Sequence, residues 1–308
     1  MSRILLIGCG TWGRLILRDL LAMGVQTIVA DNDEQTLHSA LSMGARATWT
    51  PTSGSHDCDG VIVATPASTH LAVIEQLDQC GSMAPIFCEK PLADNTAAAD
   101  RLVQRGAPAV YVMHIWRYHP GVRKLKALFD AGLIGELTLV RSVRTNWTSP
   151  RTDVDALANM APHDLSILQY LLGDIPEPRY ASCEQLDGVI VSATAALQDE
   201  HGPPCIFEVS NRYGEKRREI RLHGTQGVLV MRDEQSGIIE LISGSGFIVP
   251  DHTELYEYEK SSALMTELKA FIEYLGDADD RELCSVNAGA DVVRIIDRIR
   301  LMGQGAAR

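Results

Sequence analysis

Ile4-Leu5-Leu6-Ile7-Gly8-Cys9-Gly10-Thr11-Trp12-Gly13 is an apolar run of strand length that breaks into a glycine-spaced turn and opens the apolar-rich stretch Trp12 to Met23. G-x-G-x-x-G between a strand and a helix has a physical meaning. Gly8 permits the tight turn, Gly10 lets an anion approach the backbone, and Gly13 lets helix and strand pack closely. The first N–H groups of the helix, those of Thr11 and Trp12 among them, then present the positive end of the helix dipole to the pyrophosphate of a dinucleotide. Gly24 stops the helix, the β-branched run Val25 to Ala30 ends at Asp31, and helix-compatible residues 33–43 reach Gly44. A βαβ unit is thereby complete within about 30 residues.

Asp31 lies 18 residues beyond Gly13, at the end of the second strand. There its carboxylate can accept hydrogen bonds from both ribose hydroxyls of an adenosine. A 2′-phosphate would be repelled, and Asn32-Asp33-Glu34 offers no arginine to neutralise it, so NAD is expected over NADP. The competing role for Asp31 is a solvated turn or a helix cap, which Asp33 could fill equally well.

Outward from this unit the alternation continues through strands near 47–49, 60–64, 85–88 and 109–113 and helices near 68–79 and 95–105. Strands alternating with helices imply a doubly wound parallel sheet. The pattern changes near Tyr118–Pro120. Helices at 121–131 and 159–172, a strand at 136–145 and strand-like segments between 180 and 250 read as an α+β half with a mixed or antiparallel sheet. Segments 262–275 and 286–302 read as closing helices. The expected organisation is α/β, with a Rossmann dinucleotide-binding domain at 1–118 and an α+β substrate domain at 119–308, in line with a length of 308 residues.

The 28 basic and 40 acidic residues give a formal charge of −12, which argues against nucleic acid or anionic membranes as partners. The apolar run before the glycines is too short for a signal peptide, and no segment nears about 18 uninterrupted apolar residues, so a cytoplasmic protein is expected. Seven scattered cysteines with no C-x-x-C spacing suggest neither a disulfide framework nor a metal site.

Two more segments fall at carboxyl ends of parallel strands, where open α/β sheets bind ligands. They are Thr65-Pro66-Ala67-Ser68-Thr69-His70 and Cys88-Glu89-Lys90-Pro91. Together with the glycine turn, Trp116-Arg117-Tyr118-His119-Pro120, Ala161-Pro162-His163-Asp164 and Gly224-Thr225-Gln226-Gly227, they make the chain resemble the Gfo/Idh/MocA oxidoreductases over nearly its whole length. The resemblance implies a Rossmann domain paired with an open-faced sheet domain, and activity on sugars, cyclitols or nucleotide-linked sugars. It places Thr65, Pro66, His70, Glu89 and Lys90 beside the cofactor. Lys90 would also reach the reacting substrate oxygen, where an ammonium stabilises developing alkoxide charge. His163 takes the position of an acid–base histidine, with Asn159 one helical turn before it. Many relatives carry aspartate at that position. Asparagine can orient a histidine but cannot compensate its charge.

Arg117, Tyr118 and His119 are candidates to hold a polar substrate, or to form an interdomain hydrogen-bond network. Trp147 could give a sugar ring an apolar face, although core packing is the commoner fate of tryptophan. The polar stretch 146–158 suits a hydroxyl-rich ligand. An open sheet with an uncovered apolar face implies a homodimer or homotetramer. Two other functions remain open from the residues alone: a dinucleotide-binding sensor without turnover, and a reductase of a non-sugar substrate such as an imine or tetrapyrrole.

Overall fold

The computed structural model describes residues 2–49, 57–147, 154–244, 252–276 and 279–305. The chain divides into two units, Met1–Ile115 with Ser262–Val293, and Trp116–Ser261 with Arg294–Arg308.

The first unit is built on strands β1 (Arg3–Ile7), β2 (Gln26–Ala30), β3 (Ala47–Thr48), β4 (Gly60–Val63), β5 (Ile86–Glu89), β6 (Val110–Met113) and the late β15 (Cys284–Ser285). They lie in the order β15-β6-β5-β4-β1-β2-β3. The first six are parallel, and β15 runs antiparallel to β6. The helices are α1 (Thr11–Ala22), α2 (Glu34–Met43), α3 (His70–Gln79), α4 (Thr96–Gln104), α7 (Ala263–Leu275) and the start of α8 (Val286–Gly305).

Both sheet faces are covered, which is why β1, β4 and β5 are apolar at successive positions and do not alternate. On one face Ile4, Leu6, Ile62 and Phe87 meet Ile16, Leu17 and Leu20 of α1 and Leu264, Leu268 and Phe271 of α7. On the other, Leu5, Val61, Val63 and Ile86 meet Ile74 and Leu77 of α3, Leu102 of α4, and Ala290 and Val293 of α8.

The contiguous division expected from the sequence, 1–118 and 119–308, therefore needs correction. The first passage through this unit ends at Ile115, and the chain returns at Ser262 to supply α7, β15 and the start of α8. The physical reason is cover. The Phe87 face needs a second helix beside α1, and α7 provides it, with Phe271 stacked on Phe87 at 4.8 Å between ring centroids.

The second unit holds β7 (Leu137–Trp147), β8 (Pro178–Leu186), β9 (Val189–Leu197), β10 (Cys205–Ser210), β11 (Arg212–Gly224), β12 (Val228–Met231), β13 (Ile238–Ser243) and β14 (His252–Glu257). Their order is β14-β13-β12-β11-β7-β10-β9-β8. Only the β7–β10 pair is parallel, so the sheet is mixed. Asp187-Gly188 makes the two-residue turn between β8 and β9, both with positive φ, as such hairpins require.

Helices α5 (Pro120–Asp130) and α6 (Ala156–Leu172) pack on one face, α5 over β12 and β13, α6 over β7, β9 and β10. The opposite face differs from the apolar surface expected. Cross-strand register sets Tyr180, Ala196, Ile206, Arg141, Arg221, Val230, Glu240 and Leu255 in one row across all eight strands. Exposed apolar groups stand toward its ends, and its centre is charged, with Arg221 paired to Glu219 and Arg232 to Glu240. Among the described residues, no helix is long and apolar enough to cross a membrane.

Phe271 is fully buried. Replacing it with alanine should cost the first unit about 3–5 kcal/mol, and with leucine much less. Urea denaturation followed through a first-unit probe reads this directly. A loss below about 1 kcal/mol for Phe271→Ala would show that α7 is not what closes that face.

Candidate functional site

In the first unit the predicted residues converge at the carboxyl ends of β1, β4 and β5, where the strand order reverses between β1 and β4. The three glycines of the turn have different surroundings. Gly8 has φ +88°, and a Cβ there would stand 2.7 Å from the Ala64 carbonyl oxygen. A Cβ on Gly13 would collide with the carbonyl oxygen of Gly8. One on Gly10 would meet nothing within 4 Å. Gly10 is the N-cap of α1 and offers no side-chain bond to it, and the first turn carries no acidic residue. Uncapped N–H groups beside open space suit a bound pyrophosphate.

Asp31 faces this turn. One carboxylate oxygen accepts from the Cys9 N–H at 2.7 Å and the other from the Asp33 N–H at 3.0 Å. Capping of α2 falls to Asp33, which accepts from the Thr36 N–H at 3.0 Å. Each oxygen of Asp31 keeps acceptor capacity for a ribose hydroxyl. This carboxylate and the uncapped α1 terminus fit an NAD molecule.

Glu89 links the turn to Lys90. Its carboxylate accepts from the indole N–H of Trp12 through one oxygen and from the Lys90 backbone N–H at 3.0 Å through the other. Lys90 is half-buried, and Trp12 is exposed at the start of α1. The Trp12–Glu89 bond joins residues 77 apart, and no local pattern in the sequence announces it.

His70 does not stand where a cofactor could touch it. It is fully buried, with Nε2 2.9 Å from the Thr65 carbonyl oxygen and Nδ1 3.1 and 3.2 Å from those of Pro91 and Leu92. Its place among the cofactor contacts is corrected to that of a tie between the Thr65-Pro66 loop and the loop that follows Lys90. The Thr69 hydroxyl steadies the first loop, 2.9 Å from the Thr65 hydroxyl and 2.7 Å from the Pro66 carbonyl oxygen.

In the second unit α6 carries Asn159 and His163, both half-buried, one turn apart. Asp155 caps the helix, accepting from the Ala158 N–H at 2.7 Å, and Pro162 sits within it. Asp164, the next residue after His163, turns into the sheet. Its carboxylate receives the Ser142 hydroxyl and, at 2.7 Å, Nε of Arg144. Both members of that ion pair are almost fully buried.

Arg144 in turn lies over the Trp116 ring at 4.0 Å. Trp116 stacks on His119 at 5.0 Å and stands 6.3 Å from the His163 ring. His119 caps α5 by accepting the Gly121 N–H on Nδ1, with Nε2 3.1 Å from the Glu234 carbonyl oxygen. That fixes a neutral ring, and burial, with Arg144 as a weaker influence, pushes its pKa down.

Tyr118 is corrected from a substrate contact to a core residue. The short turn Ile115–Tyr118 rotates it inward to 1% exposure, with the Arg123 guanidinium 5.1 Å above its ring. Arg117 is half-buried and lies over Tyr170 at 5.7 Å. The aromatic group beside His163 is Trp116. Arg144 escaped sequence reading, although an arginine at a helix-facing position of β7, in step with Val140 and Ser142, was the available signal. Trp147 is 67% exposed beside Arg212, so of its two alternatives core packing is not the one adopted. Residues 148–153 of the polar stretch lie outside the described residues.

Residues 2–110 match the oxidoreductase family with an NAD-binding Rossmann fold, and residues 122–230 match the Gfo/Idh/MocA C-terminal domain. The chain belongs to the Gfo/Idh/MocA family of NAD-binding oxidoreductases. An inositol 2-dehydrogenase of Saccharopolyspora erythraea is 31% identical over 265 residues, 74% of this chain and 78% of that one. Another inositol 2-dehydrogenase, from Rhizobium meliloti, is 27% identical over 233 residues, 70% of each chain. The fold is shared with a UDP-N-acetylglucosamine 3-dehydrogenase of Acidithiobacillus ferrooxidans, with TM-score 0.85, 23% identity, and coverage of 100% of this chain and 99% of that one. As a member of this family the chain is an NAD-binding oxidoreductase.

Burial holds the pKa of His70, His119 and His223 below that of a free imidazole. A histidine depressed in this way binds more protons unfolded than folded. Its stabilisation is therefore whole above about pH 6.5 and is lost as pH falls below that value. Carboxylates held low, such as Asp33 and Glu219, release theirs only below about pH 4.5, in a separate window. The melting temperature should drop between about pH 7 and pH 5. His70→Asn should melt lower at neutral pH with a shallower pH slope, and an unchanged slope would remove His70 from the account.

Proposed function

We propose that the chain catalyses reversible hydride transfer between NAD and a secondary alcohol or ketone carbon of a sugar, cyclitol or nucleotide-linked sugar. One observation carries this reading. The uncapped start of α1, the Asp31 carboxylate and the Lys90 loop lie at one edge of a single sheet, joined through the Cys9–Asp31 and Trp12–Glu89 bonds. The inositol 2-dehydrogenase relatives support a polyol-like substrate.

Bound NAD supplies the hydride acceptor, and the reduced form the donor. The Gly8–Gly13 turn holds the pyrophosphate, and Asp31 accepts from the ribose hydroxyls. Lys90 places an ammonium against the substrate oxygen, where it stabilises the negative charge that develops as the C–H bond breaks. His163 takes the hydroxyl proton in oxidation and returns it in reduction. Asn159 orients it with a neutral amide. Arg117 offers a guanidinium to a polar substrate.

Fluorescence titration of the intact protein with NADH and NADPH tests the cofactor assignment. NADH should bind more tightly, and Lys90→Met should keep that affinity within a few fold while losing most turnover. Tighter NADPH binding would overturn the role of Asp31. Binding of neither would remove the cofactor reading, and full turnover by Lys90→Met would remove Lys90 from the chemistry. For His163→Asn, the pH–rate profile should lose one ionisation; a profile that keeps both would make His163 structural.

A further inference from the structure

Arg218 lies on β11 directly across from Arg144 on β7. Two arginines in direct cross-strand register repel, and the arrangement persists only where something else answers the charge. For Arg144 that partner is Asp164, at 2.7 Å. Arg218 has none of its own. It is half-buried, its Nη1 donates to the carbonyl oxygens of Thr145 at 2.8 Å and Arg217 at 2.7 Å, and among the described residues nothing accepts from Nε or Nη2. Glu234, the other carboxylate that acts on it, is paired with Lys216 at 2.5 Å. Arg144, Arg218 and Lys216 against Asp164 and Glu234 leave one positive charge uncompensated.

The register that puts Arg218 there follows an irregularity in β11 between Arg212 and Arg217. Such irregularities re-aim side chains and are common beside active sites. The two carbonyl bonds fix the guanidinium from one side, leaving its Nε–Nη2 edge, the edge that grips planar oxyanions with two parallel bonds. Its surroundings belong to the His163 cluster. Arg144 lies over Trp116 at 4.0 Å, Trp116 is 6.3 Å from His163, and Asp164 follows His163 in α6.

We propose that Arg218 is a specificity-determining residue that receives an anionic oxygen group of the substrate, a carboxylate or a phosphate. Within the sugar and cyclitol class the favoured substrates are then acidic or phosphorylated members, bound more tightly than their neutral counterparts. This rests on the hydride-transfer reading for what is done to the substrate, but the anion site itself is a matter of binding.

Calorimetry with NADH present, using D-glucose, D-glucuronate and D-glucose 6-phosphate as probes, tests it, with reduction of NAD by each followed separately. At least one anionic probe should bind about tenfold or more tightly than glucose. Arg218→Gln should erase that preference while leaving glucose within about twofold, and Arg218→Lys, which keeps the charge without the fork, should retain only part of it. Which anionic probe gains distinguishes carboxylate from phosphate. The proposal is overturned if wild-type protein binds glucose as well as both anions, or if Arg218→Gln weakens all three alike. Should Arg218→Gln not fold, an undiminished preference in Arg218→Lys overturns it too. Anion-selective binding without turnover of any probe would count against the hydride-transfer reading and leave the anion site standing.

Discussion

Everything in the first unit depends on how closely the start of α1 approaches the exit of β1. Gly13 lies against the Gly8 carbonyl with no room for a side chain, and Gly8 lies against Ala64 at the end of β4. These contacts fix the first turn of α1 over the strand ends. They also put Cys9 where its N–H reaches Asp31 and Trp12 where its indole reaches Glu89. The carboxylate that would read a ribose and the loop that carries Lys90 are thus both referenced to one piece of backbone. Precision of this kind comes from rigid contacts and satisfied hydrogen bonds, which hold catalytic groups at little reorganisation cost.

The second unit solves a different problem, that of keeping cations close together inside a sheet–helix layer. The Arg144–Asp164 pair is nearly inaccessible to water, and such pairs persist only where geometry and further hydrogen bonds offset desolvation. Ser142 supplies one such bond, and the Trp116 face supplies a cation–π contact. A consequence concerns the histidine. With Asp164 committed to the sheet and Asn159 neutral, the two α6 positions nearest His163 in sequence and helical spacing provide no free carboxylate to it.

The features legible in the sequence are those whose physics is local. Gly8, Gly10 and Gly13, Asp31 and the Glu89-Lys90-Pro91 loop could be read because each depends on neighbours a few residues away or on a strand end. Tyr118 was misplaced because a single short turn decides whether it or Trp116 points outward. His70 was misplaced because two of the three carbonyl oxygens it meets, those of Pro91 and Leu92, are more than 20 residues distant. Arg144 and Arg218 become neighbours only through cross-strand register set after an irregularity in β11. Hydrophobic periodicity marked α7 and α8 as helices, yet an apolar helical face does not say which sheet it will cover.

That last ambiguity has an energetic side. Ile4, Leu6, Ile62 and Phe87 are apolar because a helix pair covers them, and half of that pair is made only after Trp116–Ser261 of the second unit. Each large apolar side chain left uncovered forgoes about 1.5–3 kcal/mol, several of them together a sum comparable with the net stability of a domain. A chain ending near residue 118 would hold the glycine turn and Asp31 but lack the burial that keeps β5 and its Lys90 loop in place. Affinity for a dinucleotide should accordingly depend on Phe271 and its neighbours, far along the chain from the Gly8–Gly13 turn and Asp31.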